Sequence, residues 1–129
     1  MKLLPEIIHN SHNRFSFEII PPLRGHCQTE LLQATEKLCE FNPAFLSITN
    51  HPCVEETCSD ASHHLIKKRP GTFGISVAVK EQFNVHVIPH LIGLGHTVES
   101  FENEVIDLIY AGFRDFFCIK GDHAKLSPE

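Results

Sequence analysis

No run of about 18 apolar residues occurs in this sequence, which excludes a transmembrane helix. The N-terminus breaks at Pro5-Glu6, too early for a secretory h-region. A cytoplasmic location is the resulting expectation. There is no excess of positive charge. Eleven Lys and Arg face sixteen Asp and Glu, a net −5, which is the wrong sign for a phosphate-backbone partner. Neither nucleic acid nor a membrane is therefore expected as a partner. Phosphate and dinucleotide loops are missing too. Lys120-Gly121-Asp122 lacks Gly-x-x-x-x-Gly-Lys, and Gly93-Leu94-Gly95 lacks its third glycine. No internal repeat or low-complexity linker interrupts the chain.

What remains is an ordinary globular composition, 42% hydrophobic and 21% charged, in a chain short enough for one domain over residues 1–129. The five cysteines are an odd number without a leader, so free thiols are expected. Cys53-x₄-Cys58 with His51, His63 and His64 is a local cluster of soft ligands. Its spacing fits no strong zinc pattern, so a polar loop is preferred and no metal is expected.

Apolar periodicity divides the chain into a βα rhythm. An amphipathic lead-in over 1–14 precedes a strand at Phe15–Ile20, stopped by Pro21-Pro22. Thr29 is the expected cap of a helix over Glu30–Phe41, ended by Asn42-Pro43. Phe45–Ile48 is the second strand. Residues 50–70 are polar and irregular, with a helical turn or an edge strand at Ser62–Lys68. Residues 72–80 alternate like a strand through Phe73, Ile75, Val77 and Val79. Topology favours a helix there, because the next strand lies parallel to the second and needs a crossover. That helix is expected to be capped by Thr72, with Ile75, Ala78, Val79 and Phe83 on the sheet. Val87–Ile92 is the third strand, where Pro89 calls for a bulge or a strand start. Thr97 caps a helix with Phe101, Val105, Leu108 and Ile109 on its stripe, stopped by Ala111-Gly112. Phe113–Ile119 is the fourth strand.

Parallel strands bring Glu18, Thr49, His90 and Asp122 towards C-terminal strand ends, where α/β folds collect their chemistry. Glu18 lies between apolar neighbours in mid-strand. Either it faces solvent on a half-exposed strand, or burial raises its pKa and keeps it protonated as a general acid. A lone histidine such as His90 is more often structural than catalytic. Helix starts at Thr29, Thr72 and Thr97 are anion-ready, but nothing selects one.

These residues carry a resemblance. Phe15-Ser16-Phe17-Glu18-Ile19-Ile20-Pro21-Pro22 resembles the Ser-Phe-Glu-Phe-Phe-Pro-Pro start of the methylenetetrahydrofolate reductase family. Phe45–Thr49 is similar to its Val-Ser-Val-Thr strand, Pro89-His90-Leu91 to its Pro/Ala-His-Leu, and Ile119-Lys120-Gly121-Asp122 to its Leu-Arg-Gly-Asp after Ala-Gly. Arg69-Pro70-Gly71-Thr72 resembles a longer-looped branch. The motifs come in family order and span nearly the whole chain. Four positions depart from the pattern: Lys120 stands for arginine, Asn50 for tyrosine, and Ile92-Gly93 for Thr-Cys.

The resemblance implies an oxidoreductase of one-carbon metabolism, acting in tetrahydrofolate interconversion and methionine biosynthesis. Such a flavoprotein is a TIM (β/α)₈ barrel that binds FAD. It reduces 5,10-methylenetetrahydrofolate to 5-methyltetrahydrofolate with NADH or NADPH. By position, Glu18 is implied as the acid that assists opening of the methylene bridge. Asp122 is implied beside flavin and pterin, with Thr49, His90, Lys120 and Gly121 lining the flavin. At 129 residues the chain holds about half of the roughly 250 a full barrel needs, so the expectation is the first four strands with their helices. Two consequences stay open: a partial reductase, needing a complementing C-terminal half, or an inactive remnant that self-associates as a homo-oligomer or only binds ligand.

Overall fold

The computed structural model describes residues 3–10, 12, 15–57 and 62–122. Its elements run α1 Leu4–Asn10, β1 Phe17–Ile19, α2 Gln28–Cys39, β2 Leu46–Ile48, β3 Val54–Thr57 and β4 His63–Ile66. They continue through α3 Thr72–Gln82, β5 Val87–Ile92, α4 Val98–Tyr110 and β6 Phe117–Ile119. Four strands form one parallel sheet in the order β1-β2-β5-β6. The βα rhythm of the sequence is thus the architecture, with β1 and β6 as edge strands. Cys58 lies outside the described residues.

The helices bury one face of this sheet. Ile19, Leu46, Ile48, Val87 and Leu91 from the strands join Val79 of α3, Leu108 of α4 and Phe113 in one apolar cluster. Leu31, Leu32 and Leu38 of α2 pack against it. Strand β5 is buried along its whole length, as expected where helices cover one face and neighbours flank both edges. Pro89 needs no bulge. Pairing with β2 ends at Ile48↔Pro89, and pairing with β6 begins at His90↔Phe117. The missing N–H sits where the strand changes partners.

The helix over 72–82 settles the contest between alternation and topology in favour of topology. Its cap is Gly71 rather than Thr72. Thr72 is the first helical residue, and its hydroxyl donates to the Ile48 carbonyl at 3.2 Å and meets the Ser76 hydroxyl at 3.2 Å. Thr72, Ser76 and Val79 form the most buried line, with Ile75 and Ala78 half-buried beside it. Helix α2 begins two residues before the expected Glu30. Cys27 is its cap, with Sγ accepting from the Thr29 amide at 3.4 Å. Thr97 caps α4 as expected, accepting from the Ser100 amide at 3.1 Å. Leu108 is the buried member of the α4 stripe, while Ile109 is exposed.

Strands β3 and β4 pair antiparallel where an irregular stretch was expected, and of the two readings for Ser62–Lys68 the strand holds over His63–Ile66. Val54 stands opposite Ile66 and Thr57 opposite His63, and neither strand joins the main sheet. The base of the hairpin is tied to the β1–α2 loop. Arg24 N donates to the Lys68 carbonyl at 2.9 Å, and the Arg69 guanidinium donates to the Pro21 carbonyl. The expected lead-in is α1, which buries no side chain. It docks through the Leu4 amide, which donates to Asp115 Oδ2 at 3.1 Å.

Leu91 is fully buried between sheet and helices. Leu91→Ala should cost about 2–5 kcal/mol in urea unfolding. Thr97→Ala, which removes only a cap, should cost about 1 kcal/mol. Equal losses for the two would show that this cluster is not the main source of stability.

Candidate active site

Register decides which side chains share the face turned away from the helices. Glu18 pairs with Ser47, and Ser47 with Ile88. Two residues on, His90 stands level with Phe117. Alternation along a strand puts all five on one face. Phe117 contacts Phe45, with ring centroids 5.9 Å apart, and meets the His90 ring edge-on at 5.4 Å. The middle of this face is therefore covered: Ile88 is fully buried, and His90 is 8% exposed.

Glu18 is different. It is exposed, so the alternative in which burial keeps it protonated is corrected to the solvent-facing one. The cause is its place on edge strand β1, beyond the reach of the Phe45–Phe117 pair. Its charge still acts on the rim. His90 is held below the ordinary histidine pKa by burial, and Glu18 opposes that shift. His51 is lowered by burial first, then by Arg69 and Lys67, again with Glu18 opposing. Glu18, His51 and His90 thus share one electrostatic field.

Thr49, Asn50 and His51 follow β2. The Thr49 hydroxyl lies 3.3 Å from the Ile19 carbonyl, to which it donates, and 3.2 Å from His51 Nε2. Asn50 is 6% exposed, and its Oδ1 has no hydrogen-bond partner among the described residues. His90 Nε2 is likewise buried without one. Each such atom costs about 1–3 kcal/mol if left unmade. Buried polar groups are nearly always paired, by protein, water or a bound molecule.

Beyond β6, Gly121 has φ +83°, and a Cβ there would come within 2.2 Å of Ile92 Cγ2. Only glycine fits that turn. Gly93 and Leu94 donate to the Ile119 and Lys120 carbonyls, both at 2.9 Å, and lock the β5–α4 turn to the end of β6. A cleft of about 300 Å³ lies between that turn and the hairpin. Asn50, His51, Lys67, His96 and Asp122 supply its polar lining, and Leu65, Ile92 and Leu94 are among its apolar walls. Of the residues expected from sequence, the structure gathers Glu18 with His90 by charge and places Asp122 in the cleft. Thr49 sits beside it with its hydroxyl already engaged. Lys120 is exposed and does not line the cleft. Sequence reasoning missed Asn50, His51 and Lys67 as site residues. Only the departure from tyrosine drew attention to Asn50, and Lys67 lay in a stretch without periodicity.

A larger cavity of about 900 Å³ lies at the opposite end of the sheet, around Ala44, His86 and Arg114. Those residues precede their strands. In this architecture that end serves stability, and here it holds the 2.9 Å His86–Asp115 pair and the docking of α1. Among the described residues, no group of three or more His, Cys, Asp or Glu is placed to hold a metal ion.

The family model of methylenetetrahydrofolate reductase matches residues 3–128. The chain belongs to that family. Membership makes it part of an oxidoreductase family of TIM-barrel fold, and the four parallel strands agree with the barrel's construction. The match also covers the hairpin, so this reductase-family chain carries it within the family segment. No helix among the described residues is long and apolar enough to cross a membrane.

Both His51 and His90 are held below the ordinary histidine value of about 6.5. As pH falls, the unfolded chain binds protons before the folded one does. The stability these residues contribute is present above about pH 6.5 and lost as pH drops through that value. Urea midpoints should therefore fall between pH 7.5 and 5.5, and the His51→Gln/His90→Gln double variant should flatten the dependence. A variant with the same slope as the parent would assign the loss to other groups.

Proposed function

We propose that this rim is the first part of a flavin and folate site, used to reduce 5,10-methylenetetrahydrofolate to 5-methyltetrahydrofolate with NADH or NADPH. The observation that carries the reading is the unpartnered, buried Nε2 of His90, set among residues that match the family motifs. That nitrogen suits a polar edge of FAD. With its pKa lowered, the ring stays neutral at pH 7 and offers a hydrogen bond without adding charge. Thr49, Lys120, Gly121 and Asp122 would complete the contacts, with Lys120 giving charge without the planar fork of arginine. Bound flavin would carry electrons from the nicotinamide to the folate.

Glu18 would hold the proton delivered to the folate nitrogen as the methylene bridge opens. The role requires substrate and further barrel strands to close over β1 and desolvate the carboxyl. Those strands would be supplied by the same polypeptide or by a complementing chain.

A second reading takes the exposure itself as the guide. Ile20, just after edge strand β1, and Ile119, at the end of edge strand β6, are 57% and 44% exposed. A remnant that lost its chemistry would use such edges for self-association.

Flavin fluorescence quenching on adding FAD, followed by NADH oxidation with menadione, tests the first reading. Quenching and turnover are expected. Free flavin together with a concentration-dependent oligomer in sedimentation would establish the second. In a form that reduces folate, Glu18→Gln should slow folate reduction on the order of a hundredfold or more, while flavin reduction by NADH stays near the parent rate. Equal loss in both half-reactions would remove the acid role.

A further inference from the structure

We infer that the cavity of about 900 Å³ at the N-terminal ends of the strands is a second binding site, for a small organic anion, a carboxylate or phosphate ester carried on an apolar body. It lies at the far end of the sheet from the rim, and the inference does not depend on the flavin and folate reading. Pockets for small molecules run to about 300–1,000 Å³ and are mostly apolar, with a few placed polar groups. Ile7 of α1, Phe83, Val85 and Phe113 supply apolar wall here.

The charged lining is of one sign. Lys80, His86 and Arg114 line the cavity, and among the described residues no Asp or Glu does. The chain as a whole carries −5, and the cleft at the other end contains Asp122, so the basic lining is a local property. Asp115, next to Arg114 in sequence, is already engaged: its Oδ2 meets His86 Nε2 at 2.9 Å and accepts from the Leu4 amide at 3.1 Å.

Solvated surface lysines are commonplace, and Lys80 is not one of them. Its side chain is 28% exposed, its ammonium sits 5.5 Å over the Phe113 ring, and it donates to the Ala111 carbonyl at 3.1 Å. The exposed Glu81 stands 3.5 Å away. An ammonium has three donors, so a third remains for a ligand. Gly112 has φ +84°, and a Cβ there would lie 3.2 Å from Lys80 Nζ. Glycine thus serves the turn and leaves the ammonium its room. Arg114 adds a planar fork that matches carboxylate and phosphate oxygens. Two cations beside apolar walls select an anion that also has an apolar part. A bare ion would leave the walls bare, and a neutral apolar molecule would strip water from the cations and return nothing.

The test uses the full chain, with benzoate, phenyl phosphate and inorganic phosphate titrated by calorimetry at constant ionic strength. Benzoate or phenyl phosphate should bind with a Kd below about 1 mM, and inorganic phosphate about tenfold more weakly or worse. The tighter organic probe assigns the anion as carboxylate or phosphate ester. The Lys80→Gln/Arg114→Gln double variant should weaken that probe about tenfold or more. Lys37→Gln removes the same charge at an exposed position of α2 outside the cavity and should bind as the parent does. Should the double variant fail to fold, Arg114→Gln alone, at an exposed position, reads the loss. Failure of both organic probes to bind the parent overturns the inference. So does parent-like affinity in the cavity variants, or an equal loss in Lys37→Gln. Inorganic phosphate bound as tightly as the organic probes also overturns it, because the apolar wall would then select nothing.

Discussion

Ile19, Ile48 and Pro89 stand level across β1, β2 and β5, and their side chains point into the helices or at the covered face of the sheet. That register is the constraint on which the rest of the molecule depends. A slip of one residue would turn Leu46 and Ile48 out of the apolar cluster and drive Ser47 into it. The same register sets Glu18, Ser47 and His90 on the opposite face without any direct contact between them. Packing on one side therefore fixes chemistry on the other. Pro89 fits because neighbouring residues of a parallel strand turn to different partners, and this residue lies where β5 passes from β2 to β6.

Position within the sheet then separates two titratable groups that share a face. His90, on an inner strand, is walled in by Phe117 and held neutral. Glu18, on the edge, keeps water around it. The exposure of each follows its distance from the edge more than its sequence neighbours. Lys67 and Arg69 add positive charge from the hairpin side, and Glu18 balances it at His51 and not at a distance. The rim is polar but not strongly of one sign, which suits a heterocycle better than a polyanion.

Much of this was legible in the sequence, and the reasons differ by element. Strand β5 and helix α4 carry long, clean periodicity, and Thr97 announces its cap. Residues 72–80 alternate like a strand, and the need for a crossover, with the family resemblance, identified the helix; its sheet side carries hydroxyls at Thr72 and Ser76 that hydrophobic patterning does not register. The cap at Cys27 was hidden because a thiol is not the usual acceptor. The hairpin was hidden because Val54-Glu55-Glu56-Thr57 and His63–Ile66 are short, polar and paired only with each other. Among site residues, strand ends located His90 and Asp122. The exposure of Glu18 and the unpaired oxygen of Asn50 depend on which strand is an edge and on what covers it, and neither is written in local sequence.

The hairpin has a consequence for how this molecule could be altered. Among the described residues it exchanges no ladder bonds with the parallel sheet, and its root is fastened through Lys68 and Arg69. It is in effect a detachable cassette mounted on a fixed frame. Its strand residues can change in charge or composition while the register of Ile19, Ile48 and Pro89 stays as it is. One wall of the cleft can thus diversify at little cost to folding. Selectivity among related heterocycles could drift through this segment while the strands that carry Glu18 and His90 remain under the tighter rule of packing.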